Sequence, residues 1–380
     1  MAPRVLLDGR VRGRDGIGRY TNCLAAALTS MSSGRPDLSV FSLAGHSLYD
    51  RVGGEKLVAD AARRGCALIH LVDYRVPLGI PAVPLIVTVH DLLRLTDRRH
   101  CYTDLAFATK FGASGLAELR STVHALRDQA ELPPGSAGQV HTTHEEFLGR
   151  MLMLSCARAA RIVTPTARVA NELQRFTGCT DGVRVLRWGA DHLPGSGPST
   201  KWPRRPYLLY VGQARSHKGL PLLLAAYRRS VAPTRRIPIV FVGRDFGAGQ
   251  SGTSQVRAGL GALAVTVGEV SDARLAGLLG QAMALVHLAE HEGFGFTPLE
   301  AIRLGTRVIV RDLPVLRETL GRHARFVRSK GVVQVAEAID DVVTTPDNTA
   351  EQDRRLDWAR RYSWSSHAQE IAALYREVSP

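Results

Sequence analysis

Two series of short apolar runs dominate the chain, each run alternating with helix-length amphipathic stretches, and one Pro/Gly-rich stretch separates the series. In the first series Val5–Leu7, Ala67–Leu71 and Leu85–Val89 read as buried strands, and Arg19–Leu28 and Leu152–Ala160 as helices. Arg161–Val163 and Val183–Leu186 follow as further strands. The second series reads Tyr207–Val211, Ile237–Val242, Ala264–Val267, Ala284–Leu288 and Arg307–Val310 as strands. Pro221–Arg229, Ser271–Ala282 and Pro298–Leu304 are its helices. Between the series lies Pro194-Gly-Ser-Gly-Pro-Ser-Thr-Lys-Trp-Pro203, which suits neither element. Apolar strands separated by helices build parallel sheets. The pattern therefore predicts an α/β protein of two Rossmann-like, parallel-sheet domains facing a cleft. The expected division is 1–193, a linker over 194–206, a second domain over 207–355, and a closing segment over 356–380.

Composition narrows the function classes. Hydrophobic residues make up 45% and charged residues 22% of the 380 positions, enough to fill two cores and to exclude general disorder. No stretch reaches the roughly 18–20 apolar residues that a spanning helix needs. Met1-Ala-Pro-Arg4 leads directly into Val5–Leu7 and Asp8, too short a run for an export signal. A soluble, cytoplasmic protein is expected, with peripheral contact at the inner face of a membrane as an accompanying expectation. The five cysteines are odd in number, far apart and without a CxxC pair, which argues against a disulfide framework and a zinc site. The net charge of +14 is spread over both halves, without the concentrated arm or face of a nucleic-acid binder. Such a surface suits anionic small molecules or a membrane surface. Arginine outnumbers lysine 44 to 5, a bias that coding usage alone can produce.

Four stretches carry candidate chemistry. Glu292-Gly-Phe-Gly-Phe-Thr-Pro-Leu-Glu300 reads as a strand-to-helix loop, with Pro298 in the first helical turn and Glu300 on that turn. Glycines beside a helix N-terminus present N–H groups to an anionic oxygen. The two carboxylates suit sugar or ribose hydroxyls, and a glycine turn with a capping glutamate is the plainer alternative. Val211-Gly-Gln-Ala-Arg215-Ser-His-Lys218-Gly219 follows a strand and offers Lys218 as a point charge and Arg215 as a fork for a diphosphate. A solvated loop is the plainer reading there. Asp15-Gly16-Ile-Gly18-Arg-Tyr-Thr21 opens the first helix; Thr21 replaces the third glycine of a dinucleotide fingerprint, which leaves a glycine loop able to admit a phosphate. Thr88-Val-His90-Asp91 ends a buried strand, where a histidine faces the ligand side of an α/β sheet or serves the structure alone. His141-Thr-Thr-His144-Glu-Glu146 lacks metalloprotease spacing and reads as a capped helix start.

Taken in order, these residues resemble the retaining GT-B glycosyltransferases of family 4, in their mannosyltransferase-like branch. The C-terminal half carries most of the likeness: Val267-Gly268-Glu-Val270 to Leu275, Glu292–Glu300 with its seven-residue spacer, Leu304–Val308 and Leu313–Glu318. Asp8-Gly-Arg10 with Gly16–Thr21, Thr88–Leu92, Val183–Asp191 and Tyr362-Ser-Trp364 also follow the family pattern. The resemblance implies that the final helix crosses back onto the first domain. It implies a catalytic set of His90, Glu292 and Lys218, with His90 near the reacting carbon and Lys218 on the diphosphate. Glu300 would bind the donor ribose. Glu292 and the backbone of Gly293, Phe294, Gly295 and Phe296 would hold the transferred sugar. Gly16 and Gly18 amides would assist at the diphosphate, and Gly268 and Val270 would border the base. Arg215, Thr297 and Leu299 complete the implied donor-binding set. Two departures stand out: Gln213 and Ala214 fill the positions of the family's usual arginine, with Arg215 displaced toward Lys218, and Phe296-Thr297 replaces the commoner leucine and proline.

The expected function is transfer of a sugar from a nucleotide-diphosphate sugar to an acceptor hydroxyl with retention at the anomeric carbon. Cell-surface polysaccharide and natural-product biosynthesis both fit, with a small-molecule or lipid-linked acceptor. A sugar-nucleotide 2-epimerase and a non-catalytic nucleotide-sugar-binding protein are the rival readings. No cofactor and no metal is expected, because cationic side chains and helix N-termini meet the leaving group. Residues 96–147, with Tyr102, Phe107 and Phe111 and a Pro133–Gly138 break, are longer than the family's usual connection and are expected to wall or cover the acceptor. Within them Thr103–Arg127 is expected to form one or two helices.

Overall fold

The computed structural model describes residues 2–13, 16–42, 49, 51–134, 140–195, 206–328 and 331–379. Asp15, most of the 194–206 linker and most of the Pro/Gly break therefore lie outside the described residues. The chain forms two compact units, Met1–Gly189 with Trp364–Pro380, and Ala190–Ser363. The division thus falls at 189 rather than 193, and the chain leaves the second unit after 363 rather than 355. The helix Thr349–Ala359 stays with the second unit because Arg355 donates to the Gly305 carbonyl at 2.8 Å and the Trp358 indole N–H donates to the Thr319 carbonyl at 2.8 Å.

The first unit is built on β1 (Arg4–Asp8), β2 (Asp37–Phe41), β3 (Leu68–Leu71), β4 (Leu85–Thr88), β5 (Ala159–Thr164) and β6 (Val183–Val185), in the sheet order β2-β1-β3-β4-β5-β6. Every described pairing is parallel. β3 and β4 are buried along their whole length, which is why they read as unbroken apolar runs. The helix expected from Leu152 runs from Thr143 to Arg158 instead. Its start is the expected cap: the Thr142 hydroxyl accepts from the Glu145 N–H at 3.1 Å, and Glu145 reaches back to the His141 N–H at 3.1 Å. Asp104–Arg127 is helical on both sides of a break at Gly112, whose φ of 82° interrupts the helix. The long connection is therefore mostly helical.

The final helix, Trp364–Val378, packs on the first helix of this unit, Gly16–Thr29. A Cβ on Gly189 would lie 2.3 Å from the Trp364 backbone nitrogen, so only glycine lets the chain return so closely. Tyr375 anchors the helix through a buried 2.7 Å hydrogen bond to His70 Nδ1, while His70 Nε2 meets Thr88 Oγ1 at 2.9 Å. Burial, with the neighbouring His367 and His90, pushes His70 down to about 3, so the ring is neutral at pH 7.

The second unit contains β7 (Leu208–Val211), β8 (Ile239–Val242), β9 (Ala264–Gly268), β10 (Ala284–His287), β11 (Val308–Arg311) and β12 (Arg325–Val327). Its order, β12-β11-β10-β7-β8-β9, is again parallel throughout and reverses direction between β7 and β10. Loops leaving the carboxyl ends of those two strands meet where doubly wound sheets bind ligands. No helix among the described residues is long and apolar enough to cross a membrane.

Candidate active site

The site in the second unit begins with two loops that the sheet order brings side by side. After β7 the chain runs through Gly212–Arg215 into a single turn at Ser216–Lys218 and then the helix Leu220–Arg229. Gly219 joins them with φ 72°, and a Cβ there would stand 2.2 Å from the Leu288 carbonyl oxygen on the β10 loop. Glycine is therefore required twice over, by conformation and by contact. The Glu290 N–H also donates to the His217 carbonyl at 2.7 Å. These contacts fix Lys218 against the second loop.

Lys218 Nζ donates to Glu292 Oε1 at 2.8 Å, and His287 Nε2 lies 3.0 Å from the same oxygen. Burial alone would raise the Glu292 carboxyl, but the Lys218 charge and the hydrogen bonds from His287 and Lys218 outweigh it and hold the group well below the usual carboxylate range. Glu292 is thus a fixed carboxylate, already carrying two donors. Arg311, buried at the end of β11, donates to the Leu288 carbonyl at 3.1 Å and braces the same loop from the other side.

The loop then turns into the helix Phe296–Arg303. Gly295 caps it at φ 84°, and a Cβ there would meet Leu316 Cδ2 at 2.5 Å. This left-handed cap starts the helix two residues earlier than Pro298. Glu300 is consequently the fifth helical residue, just past the first turn, which corrects its expected placement. Helix starts in general leave their first N–H groups without intrahelical acceptors. Phe294 and Leu299 are buried, and the Leu299 N–H donates to the Gly295 carbonyl at 3.2 Å, while Phe296 and Thr297 are half-buried. Glu300 itself is 1% exposed, and its Oε1 lies 3.0 Å from His192 Nε2.

The remaining implied residues occupy several places. Gly268 ends β9 with φ 67°, and its carbonyl accepts from the Gly243 N–H at 2.9 Å; Val270 follows it on the same sheet edge. The Arg215 side chain is exposed and makes no ion pair among the described residues, while its carbonyl accepts from the Lys218 N–H at 3.0 Å. In the first unit, Gly16 opens its helix with space around it. Gly18 packs against the backbone of Gly13, which a Cβ would strike at 2.3 Å. His90, at the end of β4, lies 2.7 Å by its Nε2 from the Val72 carbonyl and stands edge-on to Tyr20. The structure thus joins Lys218 to Glu292 directly, and keeps Gly293–Glu300 in one loop and helix.

Sequence reasoning missed His287 and His192. His287 ends an apolar strand, the same signal that singled out His90, and the rule applies to it equally. His192 stands beside Asp191 just before the linker and carries no local signal.

Comparison with known proteins agrees with this geometry. Residues 198–360 match the family model of glycosyl transferases group 1. Over 186 residues the chain is 30% identical to a GDP-mannose:cellobiosyl-diphosphopolyprenol alpha-mannosyltransferase of Komagataeibacter xylinus, covering 47% of each chain. Over 254 residues it is 26% identical to the serotype-specific mannosyltransferase WbdA of Escherichia coli, covering 60% of this chain and 31% of that protein. The chain thus spans about half the length of the first of these relatives and about a third of the second. The structure of Anabaena HepE in complex with UDP and glucose superposes with a TM-score of 0.66 at 15% identity, over 99% of this chain and 100% of that one. The comparisons agree with the resemblance read from the motifs: residues 198–360 are similar to glycosyl transferases group 1, and the chain has the GT-B fold.

Proposed function

We propose that the chain is a retaining glycosyltransferase that takes mannose from GDP-mannose and passes it to a lipid-linked acceptor in polysaccharide assembly. One observation carries the reading: Lys218 and Glu292 converge, at 2.8 Å, beside a glycine-capped helix start at the strand-order reversal of the second sheet. The names of the two bacterial mannosyltransferase relatives support the choice of sugar, and that of the Komagataeibacter protein supports the class of acceptor.

In this mechanism the cost of reaction is charge gathering on the departing diphosphate. Lys218 and the N–H groups of Gly293–Thr297 meet that charge, and each such preorganised donor contributes about 10²–10³ in rate. Glu292, kept ionised, accepts hydrogen bonds from sugar hydroxyls and holds Lys218 in position until the diphosphate takes over its charge. Glu300 accepts from the ribose hydroxyls. The first unit takes the acceptor, the role the family resemblance implies for it. No metal enters this scheme.

A panel of nucleotide sugars tests the proposal, with product analysis in the presence and absence of a polyprenyl-diphosphate-linked oligosaccharide. The expected result is GDP release with an α-linked mannosyl product, formed only with acceptor. Interconversion of the sugar nucleotide without acceptor would establish an epimerase instead, and binding without turnover a sensor.

A further inference from the structure

Two cations of the first unit approach one ring, with no carboxylate among the described residues paired to either. Arg94 follows β4 in the short helix Leu93–Thr96, and Lys110 stands on the helix that begins at Asp104. Both approach Tyr102: the Arg94 guanidinium carbon lies 5.0 Å from the ring centre and Lys110 Nζ 4.9 Å from it, with Nζ donating to the Tyr102 hydroxyl at 2.6 Å. Arg94 Nη1 also donates to the Tyr49 hydroxyl at 3.1 Å.

Four carboxylates of the neighbourhood are bound to other arginines, and a fifth, Asp91, accepts from the Leu93 N–H at 3.0 Å. Asp73 holds Arg75, Asp97 holds Arg99, Asp104 holds Arg120 and Glu145 holds Arg98. Among the described residues no carboxylate pairs with Arg94 or Lys110. Their surroundings are phenols and an imidazole. His144 Nδ1 accepts the Tyr102 backbone N–H at 3.1 Å, which places the ring proton on Nε2, toward the Tyr49 hydroxyl at 3.0 Å. Burial, together with the charges of Arg94, Arg75 and Lys110, pushes His144 down to about 3, so it stays neutral and adds no third charge. A half-buried guanidinium without a counter-charge is costly unless an anion arrives to supply one.

We propose that Arg94, Lys110 and the Tyr102 hydroxyl form a socket for a phosphate group of the acceptor. Two unneutralised cations match one phosphate dianion, whereas a carboxylate balances only one of them. Arginine offers the planar fork and lysine the point charge that together span phosphate oxygens. This rests on the reading of the first unit as the acceptor side. The phosphate belongs either to a soluble sugar phosphate or to the diphosphate of a polyprenyl carrier.

Calorimetric titration of the full chain with inorganic pyrophosphate tests the socket in the wild type and in Arg94→Met, Lys110→Met, Lys218→Ala and Lys56→Met. The expected result is affinity about tenfold weaker in Lys110→Met and at least as weak in Arg94→Met, from loss of one charged hydrogen bond each, with binding at the socket retained in Lys218→Ala and Lys56→Met. Lys110 is exposed, so its variant folds even where Arg94→Met does not. Wild-type affinity in Lys110→Met overturns the proposal, as does an equal loss in Lys56→Met, which signals general charge attraction. Repeating the titration with glucose 1-phosphate and with undecaprenyl diphosphate in micelles identifies the source by which one loses affinity in Lys110→Met; dependence in neither overturns the proposal. Failure here leaves the transferase reading intact while Lys218→Ala still weakens nucleotide-sugar binding. Unchanged nucleotide-sugar binding in Lys218→Ala defeats that reading and not the socket.

Discussion

Replacing Lys218 by methionine removes one partner from a pair that both anchors a loop and keeps Glu292 ionised. The Lys218 side chain is 28% exposed and that of Glu292 16%, so the pair lies between the exposed and buried limits. Breaking one side of a fully buried pair costs about 3–5 kcal/mol and an exposed pair about 0–1. His287 still donates to Glu292, so the expected loss is about 1–3 kcal/mol. The sign with pH follows from the direction of the Glu292 shift. A carboxyl held below its unfolded value, near 4.3, contributes stability that is full above that value and is lost as pH falls toward the folded one. The gap between wild type and Lys218→Met should therefore be constant from pH 7 to 5 and narrow below about pH 4. Urea unfolding followed by tryptophan fluorescence measures it, with Trp358 reporting from the same unit. Equal stability at pH 7, or a gap that widens in acid, would refute the electrostatic account of this pair. Turnover should be lost as well, because the proposed mechanism uses the same charge to meet the leaving diphosphate.

Glu300→Gln should weaken nucleotide-sugar binding about tenfold or more, since a neutral amide would lose the charged hydrogen bonds to ribose proposed for Glu300; calorimetry giving wild-type affinity would remove Glu300 from the donor site. Tyr375→Phe should cost about 1–3 kcal/mol, because it strips His70 Nδ1 of its buried partner, and thermal unfolding of the first unit reads it. Transfer activity should survive EDTA; loss restored by one divalent ion would show that a metal neutralises the diphosphate. Replacing residues 132–139 with a short Gly/Ser link should leave donor hydrolysis intact and raise the acceptor KM severalfold, and unchanged acceptor kinetics would make that segment a surface feature.

What the sequence determined was local. Apolar runs such as Leu85–Thr88, buried at every position, announced central strands because a parallel sheet covered on both faces needs no polar alternation. Glycine and proline marked the loop before the Phe296–Arg303 helix, and the motif spacing carried the family, because those residues answer to backbone geometry that a few neighbours fix. The helix start moved to Phe296 since the left-handed Gly295 cap depends on the packing of Leu316 behind it. The pairing of Lys218 with Glu292, 74 residues apart, had no local trace. It exists because the sheet order seats β7 beside β10, skipping β8 and β9, and strand order is set by burial across the whole unit. His192 meets Glu300, and Arg94 finds no carboxylate among the described residues, for the same reason: which side chains share a buried space, and which charges find partners there, is decided only when distant segments pack.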